Sequence, residues 1–143
     1  MHISTSGKAL KRWLVILRIS IGIIYLWFGV LKFFPGVSPA ESLAKDTIHL
    51  LTLNILDDKI ALLLLAIWET VAGIMLIGGI YTRVAIRAVM VHMFCTFTPL
   101  ILLPGLSFTE APLSLTLIGQ YIIKNIVIVS ALFLLDTTLK PDH

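Results

Sequence analysis

Three ionisable residues, Arg18, Glu69 and Lys124, lie inside long apolar segments of the sequence. If these segments cross a membrane, each charge costs about 3 kcal/mol, so each should have a partner or a function. Glu69 and Lys124 fall near the middle of their segments, and Arg18 lies about 9 Å beyond Arg12 along a helix. Because the arginine side chain is long and flexible, we expect Glu69 to lie between Arg18 and Lys124 in one buried network.

Polar and small residues recur at helical spacing on three of the apolar segments. On the first segment they are Arg18, Gly22, Tyr25, Gly29 and Lys32. On the second they are Ala66, Glu69 and Gly73, and on the fourth Gln120 and Lys124, with Asn125 beside them. Residues three or four apart share one helix face, and small residues let a second helix approach closely. These faces should therefore meet in the interior of a helix bundle.

The charges of this predicted network do not cancel, which bears on its chemistry. Arg18 and Lys124 provide one positive charge more than Glu69 neutralises, and Tyr25, Gln120 and Asn125 would add neutral hydrogen-bonding groups. Such a set favours a ligand with a carbonyl or anionic oxygen, such as a quinone head group. In this hypothesis Glu69 handles protons, the two cations hold the oxygen, and the neutral groups orient it. The alternative is a salt-bridged clasp that only sets helix packing.

Lys32, Trp68 and His92 complete the candidate ligand-binding residues. Trp68 is adjacent to Glu69, and Lys32 ends the polar stripe of the first segment. His92 lies near the middle of the third segment, where it is either a packing residue or a proton relay in contact with the ligand. The other histidines lie elsewhere, and Cys95 is the single cysteine. The sequence therefore predicts no metal site, haem, disulfide or covalent cofactor.

The composition is that of a membrane protein. Of the 143 residues, 58% are hydrophobic and 13% charged, and the mean hydropathy is +1.01. Soluble domains are about a quarter charged, so this composition excludes a nucleic-acid binder, a secreted disulfide scaffold and an ordinary cytosolic enzyme. The net charge of +3 is typical of basic residues held at the cytoplasmic leaflet, and we expect no nucleic-acid partner.

The chain should form one all-α domain over 1–143. A membrane-spanning helix needs about 20 mostly apolar residues. The segments that meet this length are 13–31, 60–80, 84–103 and 115–135. The third should bend or end early at Pro99, because proline interrupts a helix. The sequence thus predicts a bundle of four transmembrane helices.

The first loop contains a further helix signal. Ser38-Pro39-Ala40-Glu41 reads as a capping box with proline at the first helical position. The residues that follow alternate between apolar and polar, which predicts an amphipathic helix over 39–54. It would lie on the outer membrane surface as a spacer, or fold over the bundle as a lid.

Basic residues predict the orientation of the chain. They cluster before the first span and at the turn between the second and third: Lys8, Lys11, Arg12, Arg83 and Arg87. The loop 104–114 has neither lysine nor arginine. By the positive-inside rule, both termini and the central turn are cytoplasmic.

The order and spacing of the polar and small residues resemble those of a known family. They are Arg18, Gly22, Gly29 and Lys32-Phe33, then Trp68-Glu69, Gly73, Gly79 and Thr82-Arg83, then Gly119-Gln120-Tyr121-Ile122-Ile123-Lys124-Asn125. This pattern resembles the DoxX-like family of small four-helix bacterial membrane proteins. The resemblance implies a bundle in the bacterial cytoplasmic (inner) membrane and a link to redox metabolism. The family includes a subunit of a thiosulfate:quinone oxidoreductase and proteins associated with oxidative-stress enzymes.

These observations lead to one leading hypothesis and two alternatives. In the first, the chain is a membrane subunit that binds a quinone and works with a redox protein partner, not a complete enzyme alone. Thiol exchange is not expected, because the paired cysteines that it needs are missing. The second is a small transporter for an anion or weak acid, acting as a homo-oligomer. The third is a structural or assembly subunit without a ligand.

Overall fold

A computed structural model describes residues 7–38, 41–53, 55–110 and 112–138 of the chain. The helices are α1 (Gly7–Leu31), α2 (Glu41–Leu51), α3 (Asp58–Gly78), α4 (Thr82–Phe97), α5 (Pro99–Leu102), α6 (Pro104–Ser107) and α7 (Leu117–Thr138). A short antiparallel hairpin, β1 (Phe108–Glu110) and β2 (Ser114–Leu115), precedes α7.

Four spans in the described residues are long and apolar enough to cross a membrane. They are α1, α3, the α4–α5 segment Thr82–Leu102, and α7. The large apolar side chains that remain exposed on them, such as Trp27, Val91 and Val127, suit contact with lipid. The predicted all-α bundle of four transmembrane helices is confirmed.

Helices α1 and α3 pack closely against each other, because glycines allow their backbones to approach. A Cβ on Gly73 would lie 2.5 Å from the backbone nitrogen of Leu26, and one on Gly29 would lie 2.7 Å from that of Thr70. Both distances are too short for any side chain, so only glycine fits. The small residues on these two faces therefore allow the helices to approach closely, as the sequence predicts.

The third and fourth spans show how local breaks shape the bundle. Helix α4 ends at Phe97 and α5 begins at Pro99, so the predicted interruption occurs at the proline. Helix α7 begins at Leu117, two positions later than predicted, because Leu115 pairs with Phe108 in the hairpin. At the other end of the bundle, Asp136 joins α7 to α4 through ion pairs with arginines.

Helix α2 is the helix expected from the first loop, and it packs against α3 and α5. Pro39 and Ala40 lie outside the described residues, and the helix ends at Leu51, three positions before the predicted end at 54. The predicted capping box does not form among the described residues, because Glu41 accepts from Gly36 and the Ser38 hydroxyl has no hydrogen-bond partner there. Hydrogen bonds from Lys45 and from the backbone N–H of Gly36 lower the pKa of Glu41 in the first turn. A hydrogen bond between the His49 ring and the Asp58 carboxylate links the end of α2 to the start of α3.

Candidate functional site

The centre of the site is an ion pair between the end of α1 and the middle of α3. Lys32 Nζ donates to Glu69 Oε2 at 2.5 Å, and only 5% and 9% of the two side chains are exposed. The close packing at Gly29 positions them, because a Cβ there would lie 2.9 Å from the Glu69 Cβ. A buried pair like this has lost much of its hydration, so each charge depends strongly on the other.

His92 extends the pair onto α4 and towards α1. Its Nε2 lies 3.9 Å from Glu69 Oε1, and its Nδ1 lies 3.0 Å from the Tyr25 hydroxyl. The Tyr25 hydroxyl and His92 Nδ1 share a hydrogen bond whose donor depends on the tautomer of the ring, and the contact of Nε2 with the Glu69 carboxylate is electrostatic. Lys32, Glu69, His92 and Tyr25 thus form a row of neighbouring polar groups, hereafter the polar chain, in which the His92–Glu69 step is too long for a direct hydrogen bond.

Asn125 brings α7 to the same place. Its Nδ2 donates to Thr96 Oγ1 at 3.4 Å, and Thr96 lies one turn beyond His92 on α4. Thr96 in turn donates to the carbonyl of Met93 at 2.7 Å, so its oxygen is free to accept a further hydrogen bond. Four spanning segments therefore contribute polar groups to one region.

Two cavities meet at the polar chain. One, about 180 Å³, lies beneath α2, and the other, about 150 Å³, lies between α1, α4 and α7. Lys32, Glu69, His92 and Thr96 line both of them. The remaining walls are mostly apolar, with Leu43, Ile48 and Leu51 of α2 above and Ile24, Phe28 and Ile128 to the side. A planar ring with polar substituents would find both kinds of contact here.

The predicted pairing of Glu69 with Arg18 is wrong. Arg18 donates instead to Thr82 Oγ1 at 3.3 Å, at the start of α4. Glu69 is level with Gly29 of α1, which lies about 16 Å from Arg18 along the helix at about 1.5 Å per residue. That distance is beyond the reach of an arginine side chain. The cation that reaches Glu69 is Lys32, from the same stripe of α1.

The predicted pairing of Glu69 with Lys124 is also wrong. Helix α7 is rotated about its axis so that the face with Gln120 and Lys124 does not point into the bundle. Lys124 and Gln120 are exposed, and Lys124 Nζ lies 5.6 Å from the centre of the Tyr121 ring. The inward face of this part of α7 carries Gly119 and Ile122, and only Asn125 reaches the polar region. Consecutive helical residues point about 100° apart, so neighbours in sequence need not share a site. The same geometry leaves Trp68 exposed beside buried Glu69.

Several residues that the sequence did not single out belong to the site. Thr47, Leu43, Ile48 and Leu51 of α2 cover the first cavity, and Leu65 of α3 completes its wall. The amphipathic pattern of α2 was the available signal, and the packing corresponds to the lid alternative. Among the described residues, no three histidine, cysteine, aspartate or glutamate side chains lie close enough together to hold a metal ion.

The model of the DoxX family matches residues 13–101, which run from within α1 to within α5 and include Lys32, Glu69 and His92. No curated protein and no solved structure matches the chain.

Proposed function

The chain belongs to the DoxX family, and we propose that this multi-pass membrane protein binds a quinone or a similar amphipathic molecule beside the Lys32–Glu69 pair. It would be an accessory subunit that works with a redox protein partner. The observation that carries the proposal is the meeting of two largely apolar cavities at one buried polar chain. Small-molecule sites are typically apolar clefts with a few convergent polar groups.

The arrangement suggests a role for each polar group. The Lys32 ammonium donates to Glu69 and, at 3.4 Å, to the carbonyl of Phe28, so one of its three N–H donors is left and would hold one quinone carbonyl. Asn125 and Thr96, at the edge of the second cavity, would orient the ring. Reduction of a quinone to a quinol takes up two electrons and two protons. The partner would supply the electrons, and Glu69 and His92 would exchange the protons.

The charge balance of the site favours a neutral ligand over an anion. Within the described residues, Lys32 and Glu69 neutralise each other, and Arg18 and Lys124 lie elsewhere. The surplus cation from which the sequence predicted a ligand with a carbonyl or anionic oxygen is therefore missing from this region, and an anion would find no unpaired cation there among the described residues. A neutral carbonyl needs only hydrogen-bond donors, which the polar chain retains. A clasp without a ligand would leave the two cavities without a role.

The orientation that we propose follows from the basic residues. Arg83 and Arg87 lie at the end of the bundle where α3 turns into α4, whereas α2 and the hairpin lie at the opposite end. With the arginines on the cytoplasmic side of the bacterial inner membrane, both termini are cytoplasmic. The quinone site would then lie in the outer half of the bilayer, beneath α2.

The test is a thermal-stability measurement on the purified protein in a neutral detergent, with a short-chain quinone added. A ligand that binds only the folded state stabilises it by about 2.7 kcal/mol at a hundredfold excess over its dissociation constant. We expect the quinone to raise the melting temperature of the wild type. Asn125→Leu should remove most of that rise, because it deletes a polar group at the second cavity.

Gln120→Leu is the matched control, since it makes the same kind of change on the exposed face of α7. It should leave the rise unchanged. Equal rises in both variants would move the site away from the second cavity. A wild type that no quinone stabilises would refute quinone binding, and stabilisation by sulfate or thiosulfate instead would support the transporter.

A further inference from the structure

Arg18 is a partly buried cation without an acidic partner among the described residues. Its Nη1 donates to the neutral Thr82 hydroxyl at 3.3 Å, and its Nε is buried without a hydrogen-bond partner in the described residues. The guanidinium lies where α3 ends, against Gly79, and α4 begins at Thr82, so the two helix dipoles oppose each other there and neither end is a carboxylate. A cation in this environment is stabilised by a negatively charged group nearby.

A cleft opens beside Arg18, between α1 and α7. It has a volume of about 310 Å³ and is separate from the two cavities at the polar chain. The lining residues are Lys11, Leu14, Val15, Arg18, Leu135 and Thr138. Among the described residues, two cations and no acid line it, and the carboxylate of Asp136, next to Leu135, is engaged by Arg83 and Arg87 at 4.0 and 3.2 Å.

The two cations are arranged along one line. Lys11 and Arg18 are seven positions apart on α1, so they share a face and are separated by about 10 Å along the axis. Both side chains tilt towards the N-terminus of α1, so the tilt leaves this spacing unchanged. Leu14 and Val15 lie between them, so the floor of the cleft is apolar while its ends are positive.

We propose that this cleft binds an anionic phospholipid. The phosphate lies between Lys11 and Arg18, and an acyl chain follows the apolar wall of Leu14, Val15 and Leu135. The shared chemistry is that of any phosphate, but the apolar floor and the position between two spanning helices favour a lipid over a soluble anion. Basic pockets between transmembrane helices are suited to such head groups. This inference does not depend on quinone binding.

The test measures phosphatidylglycerol bound to the delipidated, full-length protein by native mass spectrometry. Arg18→Gln should weaken binding by at least about fivefold, the effect of one basic residue at an anionic membrane surface. Arg12→Gln is the matched control, because Arg12 is exposed and does not line the cleft. Lys11→Gln repeats the test at the other end of the cleft, where the side chain is exposed and no buried group is disturbed. Its control is Lys8→Gln, which changes an exposed lysine that does not line the cleft.

The outcomes separate the possible sources of the phosphate. Equal binding in Arg18→Gln and Arg12→Gln, or in Lys11→Gln and Lys8→Gln, would overturn the site. If Arg18→Gln fails to fold, the two lysine variants decide the result. Phosphatidylcholine should bind more weakly than phosphatidylglycerol, and equal binding would remove the requirement for negative charge. Glycerol phosphate that binds as tightly as the lipid would replace the phospholipid with a soluble anion.

Discussion

The Lys32–Glu69 pair allows a quantitative test of how strongly two buried charges are coupled in this bundle. Glu69→Gln removes the carboxylate and leaves the ammonium, whose side chain is only 5% exposed, without an acidic partner. Breaking a buried pair in this way costs about 3–5 kcal/mol. Lys32→Met should cost less, because His92 remains 3.9 Å from the carboxylate and can interact with it. The double variant leaves no buried charge and should lie within about 1 kcal/mol of the wild type.

The assay is the free energy of unfolding in mixed micelles, titrated with a denaturing detergent, for the four members of the double-mutant cycle. The expected coupling energy is at least about 2 kcal/mol. Arg87 and Asp136 provide the matched control, since their atoms lie 3.2 Å apart but 63% of the arginine side chain is exposed. Their cycle, Arg87→Gln with Asp136→Asn, should give less than about 1 kcal/mol. A Lys32–Glu69 coupling no larger than that of the control would refute the reasoning.

Two further predictions test the packing and the orientation. Gly73→Ala should lower the free energy of unfolding by about 1–3 kcal/mol, because its Cβ would lie 2.5 Å from a backbone nitrogen of α1. Gly105→Ala, with nothing within 4 Å of the added atom, should change it by less than about 0.5 kcal/mol in the same assay. For the orientation, a cysteine at Ser42 in a Cys95→Ala background should react with an impermeant maleimide applied from outside. A cysteine at Ile80 should react only after the membrane is permeabilised, and the reverse pattern would invert the topology.

The residues of the polar chain could be identified from the sequence, but their pairing could not. Glu69 stands out because a carboxylate in an apolar segment needs a partner. Tyr25 and Lys32 share the stripe of α1 that turns inward, as the four-three spacing predicts. That stripe also contains Arg18, and the choice between the two cations depends on how far α1 is shifted along α3. The contact of Gly29 with Thr70 sets that shift, and it joins residues far apart in the chain.

The rotation of α7 about its axis is a second feature that the local sequence pattern did not determine. Gln120 and Lys124 lie on one face and Asn125 on another, and both faces contain polar residues. The face that turns inward is decided by Gly119 and Ile122, which are buried, together with the contact of Asn125 with Thr96. Because lipid accepts apolar side chains as readily as a protein interior does, hydropathy alone cannot distinguish the two faces of such a helix.

The sequence by itself determined the four membrane spans, the extra helix in the first loop and the interruption at Pro99. Those features depend on segment length, apolarity and backbone restriction, which are local properties of the chain. Only the tertiary structure decided that Lys32 is the partner of Glu69, that α2 covers a cavity, and that Arg18 faces a separate cleft. Each of these depends on the shift and rotation of one helix against another. Contacts between distant residues set both, and no local pattern encodes them.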